Sequence, residues 1–200
     1  MEPAAPTPPP DLAERSLPLH PAPAGMTLFR IVAAETQPLF FGPKPGDLPA
    51  GRFDAADGSF RTCYAGLTPE ACFAEKFLRR LRDRAIEAAL VRTMVLVRLE
   101  LLRPLTLVAL HGPGLAQIAA TAAVAHGPYA TSRPWAATLF AHPQCPDGLC
   151  WRSRFDDSLF CVALFDRCKG DLQVGEKVAL ISQQALLLAM INRWRLALIE

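Results

Sequence analysis

Two features that mark secreted and membrane-spanning proteins are missing from this sequence. The longest apolar runs, at residues 178–181 and 185–191, are interrupted by polar residues and fall short of the roughly 20 residues that a membrane helix needs. The first residues also lack the basic start and the continuous apolar stretch of a secretory signal. We therefore expect a cytoplasmic protein that makes no contact with a membrane.

Paired C-x₂-C spacing, which would make a zinc site convincing, is also missing. The sequence has six cysteines, Cys63, Cys72, Cys145, Cys150, Cys161 and Cys168. In a cytoplasmic protein we expect these to be reduced thiols, several of them buried. His142, Cys145 and Cys150 lie close enough in sequence to consider a metal site, but their spacing favours structural cysteines. We therefore assign no metal site from the sequence.

The sequence carries little net charge, only +2 at pH 7, which argues against direct binding of nucleic acid. Apolar residues make up 51% of the chain, and 200 residues suffice for one domain with a substantial core. Residues 1–25 differ because they are rich in Pro and Ala. We predict a disordered or polyproline-like tail over residues 1–25 and a single domain over residues 26–200.

The most informative stretch of the chain is residues 51–81. Alternating side chains predict a short strand over residues 60–65. Thr68 is a good N-cap and Pro69 suits the first position of a helix, so a helix is predicted over residues 69–82.

Glu75 lies at the border between the apolar and basic faces of this predicted helix. Taken alone, it would pair with Arg79 one turn later, which is worth a few tenths of a kcal/mol. Arg52 and Tyr64 precede it, and a strand–turn–helix unit can bring all three types of side chain to one cleft. Arginine binds phosphate through two parallel hydrogen bonds, and tyrosine offers a flat face for stacking. With a carboxylate that orients ribose or stabilises positive charge, the set suits a substrate with phosphate, an aromatic ring and a glycosidic bond.

Other elements are predicted from the same kind of pattern. Strands are predicted at residues 27–33, 93–101, 104–110, 149–153 and 159–165. Residues 85–90 could extend the helix or begin another. Further helices are predicted over residues 115–124, from a Thr131–Ser132 cap onward, and over 182–197, with a polar connection over 167–175.

Several polar residues outside the central stretch are candidates for the same cleft. Arg30, inside the first predicted strand, is either an arginine at the sheet rim paired with a carboxylate or a second phosphate contact. Tyr129 and Arg133, near the start of a helix, could line the cleft. Ser153 has no Gly-x-Ser-x-Gly elbow and no neighbouring histidine, so it is a turn cap or a substrate-positioning hydroxyl, not a nucleophile. Arg154 follows it and is a further candidate for substrate binding.

Short motifs in this chain resemble the RES domain of bacterial toxin–antitoxin systems, a family named for an arginine, a glutamate and a serine. The first motifs are Gly51-Arg52-Phe53, Tyr64-Ala65 and Ala74-Glu75. Residues 147–154 resemble the serine-bearing strand of the family and would supply Ser153. The resemblance covers roughly residues 27–166. The sequence departs from the family at Ala50 and Asp54, where many relatives have glycine and asparagine.

The resemblance implies an α+β fold like that of ADP-ribosyltransferases, with a mixed, mainly antiparallel sheet and helices around a cleft. Characterised RES proteins destroy NAD by cutting its nicotinamide–ribose bond, so NAD is expected as substrate and no cofactor is expected. An Xre-type helix-turn-helix antitoxin would be the partner, and a homodimer is also considered. The alternatives are a protein ADP-ribosyltransferase and a non-catalytic NAD-binding or interaction module.

The resemblance also implies roles for individual residues. Arg52, with Arg30 as a second contact, would hold the pyrophosphate, and Tyr64 would stack on or position the nicotinamide ring. Glu75 would hold the ribose hydroxyls, and Ser153 would fix the ring or the sugar. The further contacts with the substrate would come from Tyr129, Arg133 and Arg154.

Overall fold

The structure is a computed structural model that describes residues 7–43, 46–80 and 84–200. Its strands are β1 (Leu19–Ala22), β2 (Thr27–Ala33), β3 (Thr62–Gly66), β4 (Ala85–Glu87), β5 (Met94–Leu101), β6 (Leu105–Ala109), β7 (Gly148–Arg152), β8 (Phe160–Phe165), β9 (Leu172–Ala179) and β10 (Ala197–Ile199). Its α-helices are α1 (Pro69–Phe77), α2 (Ala88–Arg92), α3 (Pro113–Gln117), α4 (Ala123–His126), α5 (Tyr129–Phe140) and α6 (Gln184–Trp194). Short 3₁₀ helices span Leu12–Glu14, Leu78–Arg80, Asp166–Asp171 and Leu180–Ser182.

One large sheet dominates the fold. Its eight strands follow the order β1-β6-β7-β8-β3-β2-β5-β9. The β6–β7 pair is parallel, and the other neighbours in this sheet are antiparallel. Strands β10 and β4 form a separate parallel pair. The predicted α+β fold with a mixed, mainly antiparallel sheet is confirmed.

The sheet opens between β2 and β3, which sit next to each other near its centre. Strand β2 pairs with β5 along its whole length, but its ladder with β3 joins Phe29 to Gly66 alone within the described residues. Gly66 ends β3 beside the first turn of α1, where an added Cβ would lie 2.8 Å from Cys72 Sγ and 2.9 Å from Thr68 O. A larger residue there would push α1 away from the sheet, so the glycine keeps the helix close to the opening.

Helix α1 begins as the sequence predicted. The Thr68 hydroxyl accepts a hydrogen bond from Ala71 N at 3.3 Å, and Pro69 occupies the first turn. The α-helix ends at Phe77 and continues as the 3₁₀ turn Leu78–Arg80. The predicted end at residue 82 lies outside the described residues.

Apolar side chains cover both faces of the large sheet. One face packs against α5 and the loop before β3, through Phe53, Phe60, Trp135, Leu139 and Phe165. The opposite face carries Leu28, Val97, Leu99, Leu107 and Val162. Full burial of each such side chain contributes about 1.5–3 kcal/mol. A third cluster joins α1 to α6, where the rings of Phe73 and Trp194 stack 5.6 Å apart. This last contact holds α1 against α6.

The prediction of a disordered tail over residues 1–25 was wrong for residues 7–25. Leu12 is fully buried and Leu17 nearly so, and β1 pairs with β6. The Leu17 N–H donates to Gln144 Oε1 at 2.7 Å. Pro and Ala are typical of disorder, but the few leucines between them reach the core. Strand β1 lies at the edge of the sheet, where a proline is tolerated.

Most predicted strands are confirmed, with small shifts of their ends, as β2, β3, β5, β6, β7 and β8. Three other predictions were wrong. Helix α5 starts at Tyr129, so Thr131 and Ser132 are buried inside it and do not cap it. Residues 167–175, predicted as a connection, belong to a 3₁₀ helix and β9. Residues 115–124 hold parts of two short helices, α3 and α4, instead of one.

Residues 85–90, whose structure the sequence left open, begin with β4 and continue into α2. Among the described residues, no helix combines the length and the apolar composition that a membrane span requires.

Candidate active site

A cavity of about 260 Å³ lies at the opening between β2, β3 and α1. Five of the predicted site residues line it, namely Arg30, Arg52, Tyr64, Glu75 and Arg154. They come from β2, the loop before β3, β3 itself, α1 and the loop after β7. The opening of the sheet therefore gathers side chains that are far apart in the sequence.

Glu75 lies in the cavity wall on α1 and is held by two neighbours. Its Oε1 accepts a hydrogen bond from Ser153 Oγ at 2.8 Å, and its Oε2 accepts one from Arg79 Nη2 at 3.0 Å. The Glu75 side chain is 22% exposed, whereas Ser153 is 2% exposed. Ser153 also accepts from Phe155 N at 3.3 Å. The hydroxyl is thus covered by protein and orients the carboxylate, which itself faces the cavity.

Arg52 also lines the cavity and is anchored by α5 and the turn before it. Its Nη1 donates to the carbonyl of Gly127 and to Ser132 Oγ, the latter at 3.0 Å. Its guanidinium carbon lies 4.9 Å from the centre of the Tyr129 ring. Ser132 in turn donates to Val124 O at 2.7 Å. These contacts use Nη1 and one face of the guanidinium. The protein therefore fixes the orientation of the whole group, including its remaining N–H donors.

The loop that carries Arg52 is built around the buried carboxylate of Asp54. Asp54 Oδ2 accepts hydrogen bonds from the backbone N–H groups of Ala50 and Gly51, and Oδ1 accepts from the hydroxyls of Thr62 and Tyr64. A Cβ on Gly51 would lie 2.4 Å from Tyr64 Oη and 2.7 Å from Asp54 Oδ1. Glycine before the arginine is therefore required by close approach, and Asp54 holds the loop against β3.

Tyr64 presents its ring to the cavity while its hydroxyl is used by the protein. The hydroxyl donates to Asp54 at 3.0 Å and accepts from Phe53 N at 2.8 Å. Burial, together with the Asp54 charge, raises the pKa of Tyr64 well above its usual value. Trp151 packs against the ring edge-on, with centroids 6.4 Å apart. Tyr64 is thus a fixed, neutral phenol in the lining of the cavity.

Positive charge dominates the cavity mouth. Besides Arg30, Arg52 and Arg154, it is lined by Lys76 and Arg79. Burial lowers the pKa of Arg52 most, and the nearby arginines act in the same direction, while Tyr129 and Glu75 oppose it. Such a concentration of cations around one carboxylate favours a ligand that carries negative charge.

Three predicted residues, Arg30, Tyr129 and Arg133, are held mainly by contacts within the protein. Arg30 Nη1 donates to Pro38 O at 3.0 Å and contacts Cys63 Sγ at 2.8 Å, so it is held by backbone and a thiol and not by a carboxylate. Tyr129 accepts from Arg79 Nη1 at 3.3 Å. Arg133 Nη2 donates to Pro49 O at 2.9 Å. Tyr129 and Arg133 do not line the cavity and instead hold its arginines and its loop.

Sequence reasoning missed three residues of the site. The sequence marked Asp54 only as a departure from the family. It placed Arg79 on the surface of a helix and Ser132 at a helix cap, with no role for either in the site. The spacing of Glu75 and Arg79 did predict their ion pair, and that pair is present at 3.0 Å. Nothing in the sequence indicates that Arg79 also reaches Tyr129 or that Ser132 reaches Arg52, because these contacts join α5 to distant segments.

The candidate metal ligands considered from the sequence do not come together. His142 Nε2 contacts the backbone carbonyls of Leu12 and Arg15, and Cys145 is exposed. Within residues 7–43, 46–80 and 84–200, the structure gathers a different group, His20, His111 and Cys150. Burial lowers the pKa of both imidazoles and raises the pKa of Cys150 to about 12.

A likeness in structure supports the fold. A chain from the crystal structure of the M. tuberculosis MbcT-MbcA toxin–antitoxin complex superposes with a TM-score of 0.61 and 14% sequence identity. The superposition covers 83% of this chain and 91% of that chain. No curated protein sequence matches this one. At this level of identity the likeness concerns the fold alone.

A family model gives the assignment. The model of the RES domain matches residues 27–186, which include β2, the cavity and every predicted site residue. The serine, glutamate and arginine expected from the family's name are the residues that meet at the cavity and behind its wall. The chain belongs to the RES domain family.

Proposed function

We propose that this protein is the toxin of a bacterial toxin–antitoxin system and that it cleaves the nicotinamide–ribose bond of NAD. The observation that carries the proposal is the Glu75 carboxylate, which Ser153 and Arg79 hold in the wall of a cavity whose mouth is lined by cations. A partly buried anionic group facing a site for an anionic ligand suits a reaction in which positive charge develops next to phosphate groups.

The pyrophosphate of NAD would lie at the cationic mouth. Arg52 is pre-oriented by Gly127 and Ser132, so little side-chain entropy is lost when it binds phosphate. Arg30 and Arg154 line the same cavity and would add further contacts. The cavity of about 260 Å³ is slightly smaller than the usual range of about 300–1,000 Å³ for ligand sites, so it would take the nicotinamide–ribose half while the rest of the dinucleotide lies outside it.

Glu75 would act on the ribose. When the bond between C1′ and the nicotinamide nitrogen breaks, its electron pair leaves with nicotinamide, which becomes neutral. The ribose is left with oxocarbenium character, and a fixed carboxylate stabilises this charge as it develops. Water or phosphate then adds to C1′ and gives ADP-ribose, with loss of a proton, or its 1-phosphate.

Tyr64 and Ser153 would support this step in different ways. The Tyr64 ring lines the cavity and would stack on the nicotinamide. Ser153, which is buried behind Glu75, would act by orienting that carboxylate, and not through the direct contact with ring or sugar that the family resemblance implied.

The test is to incubate the purified protein with NAD, with and without phosphate, and to follow nicotinamide, ADP-ribose and its 1-phosphate by chromatography. We expect nicotinamide release, and the second product identifies the acceptor. Radiolabelled NAD in the presence of bacterial protein separates this from protein ADP-ribosylation, which would leave a covalent label. Binding of NAD without nicotinamide release would contradict the proposed activity and favour a non-catalytic module.

The toxin role is tested separately in cells. Inducible expression should lower cellular NAD and stop growth, and co-expression of a neutralising Xre-type helix-turn-helix protein should restore both. If the purified protein cleaves NAD but cells that express it continue to grow, the enzyme activity is supported and the toxin role is contradicted.

A further inference from the structure

A second group of reactive side chains lies away from the cavity, where β1, β6 and β7 meet. His20 is on β1, His111 follows β6 and Cys150 is on β7. His20 Nδ1 and His111 Nε2 are 3.2 Å apart. One candidate ligand atom from each of the three residues lies within 4.8 Å of the other two. Three segments far apart in the sequence thus bring two imidazoles and one thiol close together.

The buried thiol in this group has no hydrogen-bond partner among the described residues, although Cys150 is fully buried. Other buried cysteines differ, since Cys72 Sγ donates to Phe29 O at 2.8 Å and Cys168 Sγ donates to Phe165 O at 3.1 Å. Both imidazoles are partly exposed. The neighbouring cation, Arg152, lies over the Phe160 ring and donates to a backbone carbonyl.

We propose that His20, His111 and Cys150 bind one Zn²⁺ ion, with water in the fourth position. Imidazole and thiolate are the ligands that zinc prefers, and the Cys150 proton would be released to solvent on binding. Bonds of about 2.0–2.3 Å in a tetrahedron require ligand atoms roughly 3.3–3.8 Å apart. The present separations are 3.2 Å between His20 Nδ1 and His111 Nε2 and at most 4.8 Å within the group, so the ligand atoms would move closer together when the ion binds.

The bound ion would fasten the amino-terminal segment to the sheet. Strand β1 is an edge strand and pairs with β6 over Leu19–Ala22. Coordination would add a link from His20 to His111 and to Cys150 on the neighbouring strand β7. Zinc would therefore stabilise β1 without touching the cavity, and its role is independent of the proposed reaction with NAD.

The experiment uses the full-length protein, stripped of metal with a chelator, dialysed and titrated with Co²⁺ and then with Zn²⁺. We expect one equivalent of Co²⁺ to produce a thiolate-to-metal charge-transfer band and one equivalent of Zn²⁺ to remove it. Amide hydrogen exchange in β1 should slow when zinc binds. Loss of a residue that only supports a metal ligand weakens metal binding by about tenfold or more. His20→Ala and His111→Ala each remove a direct ligand, so each should weaken zinc binding by at least about tenfold.

Two cysteine variants complete the design. Cys150→Ala should abolish the charge-transfer band, whereas Cys145→Ser, which alters the exposed cysteine, should leave binding unchanged. The histidine variants, whose side chains are partly exposed, keep the test valid if Cys150→Ala does not fold. Any of three results would overturn the proposal. The charge-transfer band could survive in Cys150→Ala, zinc affinity could fall only in Cys145→Ser, or zinc affinity could be unchanged in both histidine variants.

Discussion

Two carboxylate–arginine pairs in this molecule use the same chemistry in opposite ways. Asp147 receives both Nη1 and Nη2 of Arg103, at 3.0 and 2.8 Å, and two further hydrogen bonds from the backbone and hydroxyl of Thr106. Its side chain is 7% exposed. Glu75 receives single bonds from Arg79 and Ser153, and its side chain is 22% exposed in the cavity wall.

The difference lies in what remains free on each carboxylate. The oxygens of Asp147 are filled by protein donors that join β6 to the start of β7, so the pair serves the structure. Glu75 has fewer protein donors and faces a cavity, so part of its acceptor capacity is available to a ligand. An ion pair by itself does not show whether a carboxylate is structural or available to a ligand. The number of protein donors that its oxygens already accept from distinguishes the two cases.

Replacement of the cavity carboxylate should have the largest effect on activity. Glu75→Gln keeps an acceptor for Ser153 but removes the charge that, in the proposed reaction, stabilises the oxocarbenium-like ribose. We expect kcat for NAD cleavage to fall by about 10²–10³-fold, the usual effect of losing one electrostatic contact in a transition state. Glu70→Gln, on the same helix but outside the cavity, is the matched control and should keep full activity. If Glu75→Gln remains fully active, the role given to Glu75 is wrong.

Replacement of the saturated carboxylate should affect stability instead. Asp147→Asn directs an NH₂ group at donors from Arg103 and Thr106, and we expect a loss of about 1–3 kcal/mol in the free energy of unfolding. Because Arg103 is partly exposed, little of this comes from the salt bridge itself. Urea unfolding measures the loss. The folded variant should still cleave NAD at the normal rate, and a large fall in its kcat would remove the distinction between the two pairs.

Removal of the serine behind the cavity tests whether it positions Glu75. In Ser153→Ala the carboxylate loses its donor at 2.8 Å, and we expect kcat to fall about tenfold with KM little changed. Ser158→Ala is a matched control, because the Ser158 hydroxyl also donates to a carboxylate, that of Asp156, but at an exposed site. If KM rises while kcat stays the same, Ser153 contributes to ground-state binding of NAD and does not orient Glu75 for the reaction.

The smallest expected effect is that of acid on the stabilisation that the Asp147–Arg103 pair provides. Burial raises the pKa of Asp147, but hydrogen bonds from Arg103 and Thr106 outweigh it and hold that pKa below its usual range. A carboxyl with a depressed folded-state pKa stabilises the protein above the unfolded value of about 3.9, and this contribution is lost as pH falls through the folded value. The stability gap between wild type and Asp147→Asn should therefore be constant near neutral pH and shrink below about pH 4. A gap that widens on acidification would contradict the pKa direction.

The elements predicted from the sequence are those whose signals are local. Strand β2 has the predicted bounds, and α1 starts where Thr68 and Pro69 indicated. Strand β9 was missed because it is an edge strand with mostly exposed side chains, so it shows no apolar alternation. Residues 7–25 were missed because burial of Leu12 depends on a surface made by other parts of the chain.

The sequence by itself determined the types and the order of the reactive residues, and with them the family. Only the tertiary structure decided which of their atoms meet. Ser153 reaches Glu75 across 78 residues, and Arg52 reaches Ser132 across 80, because β3 lies next to β8 and opens from β2. Periodicity and capping report on neighbours within a few turns, whereas the packing of the whole sheet places distant side chains at one cavity.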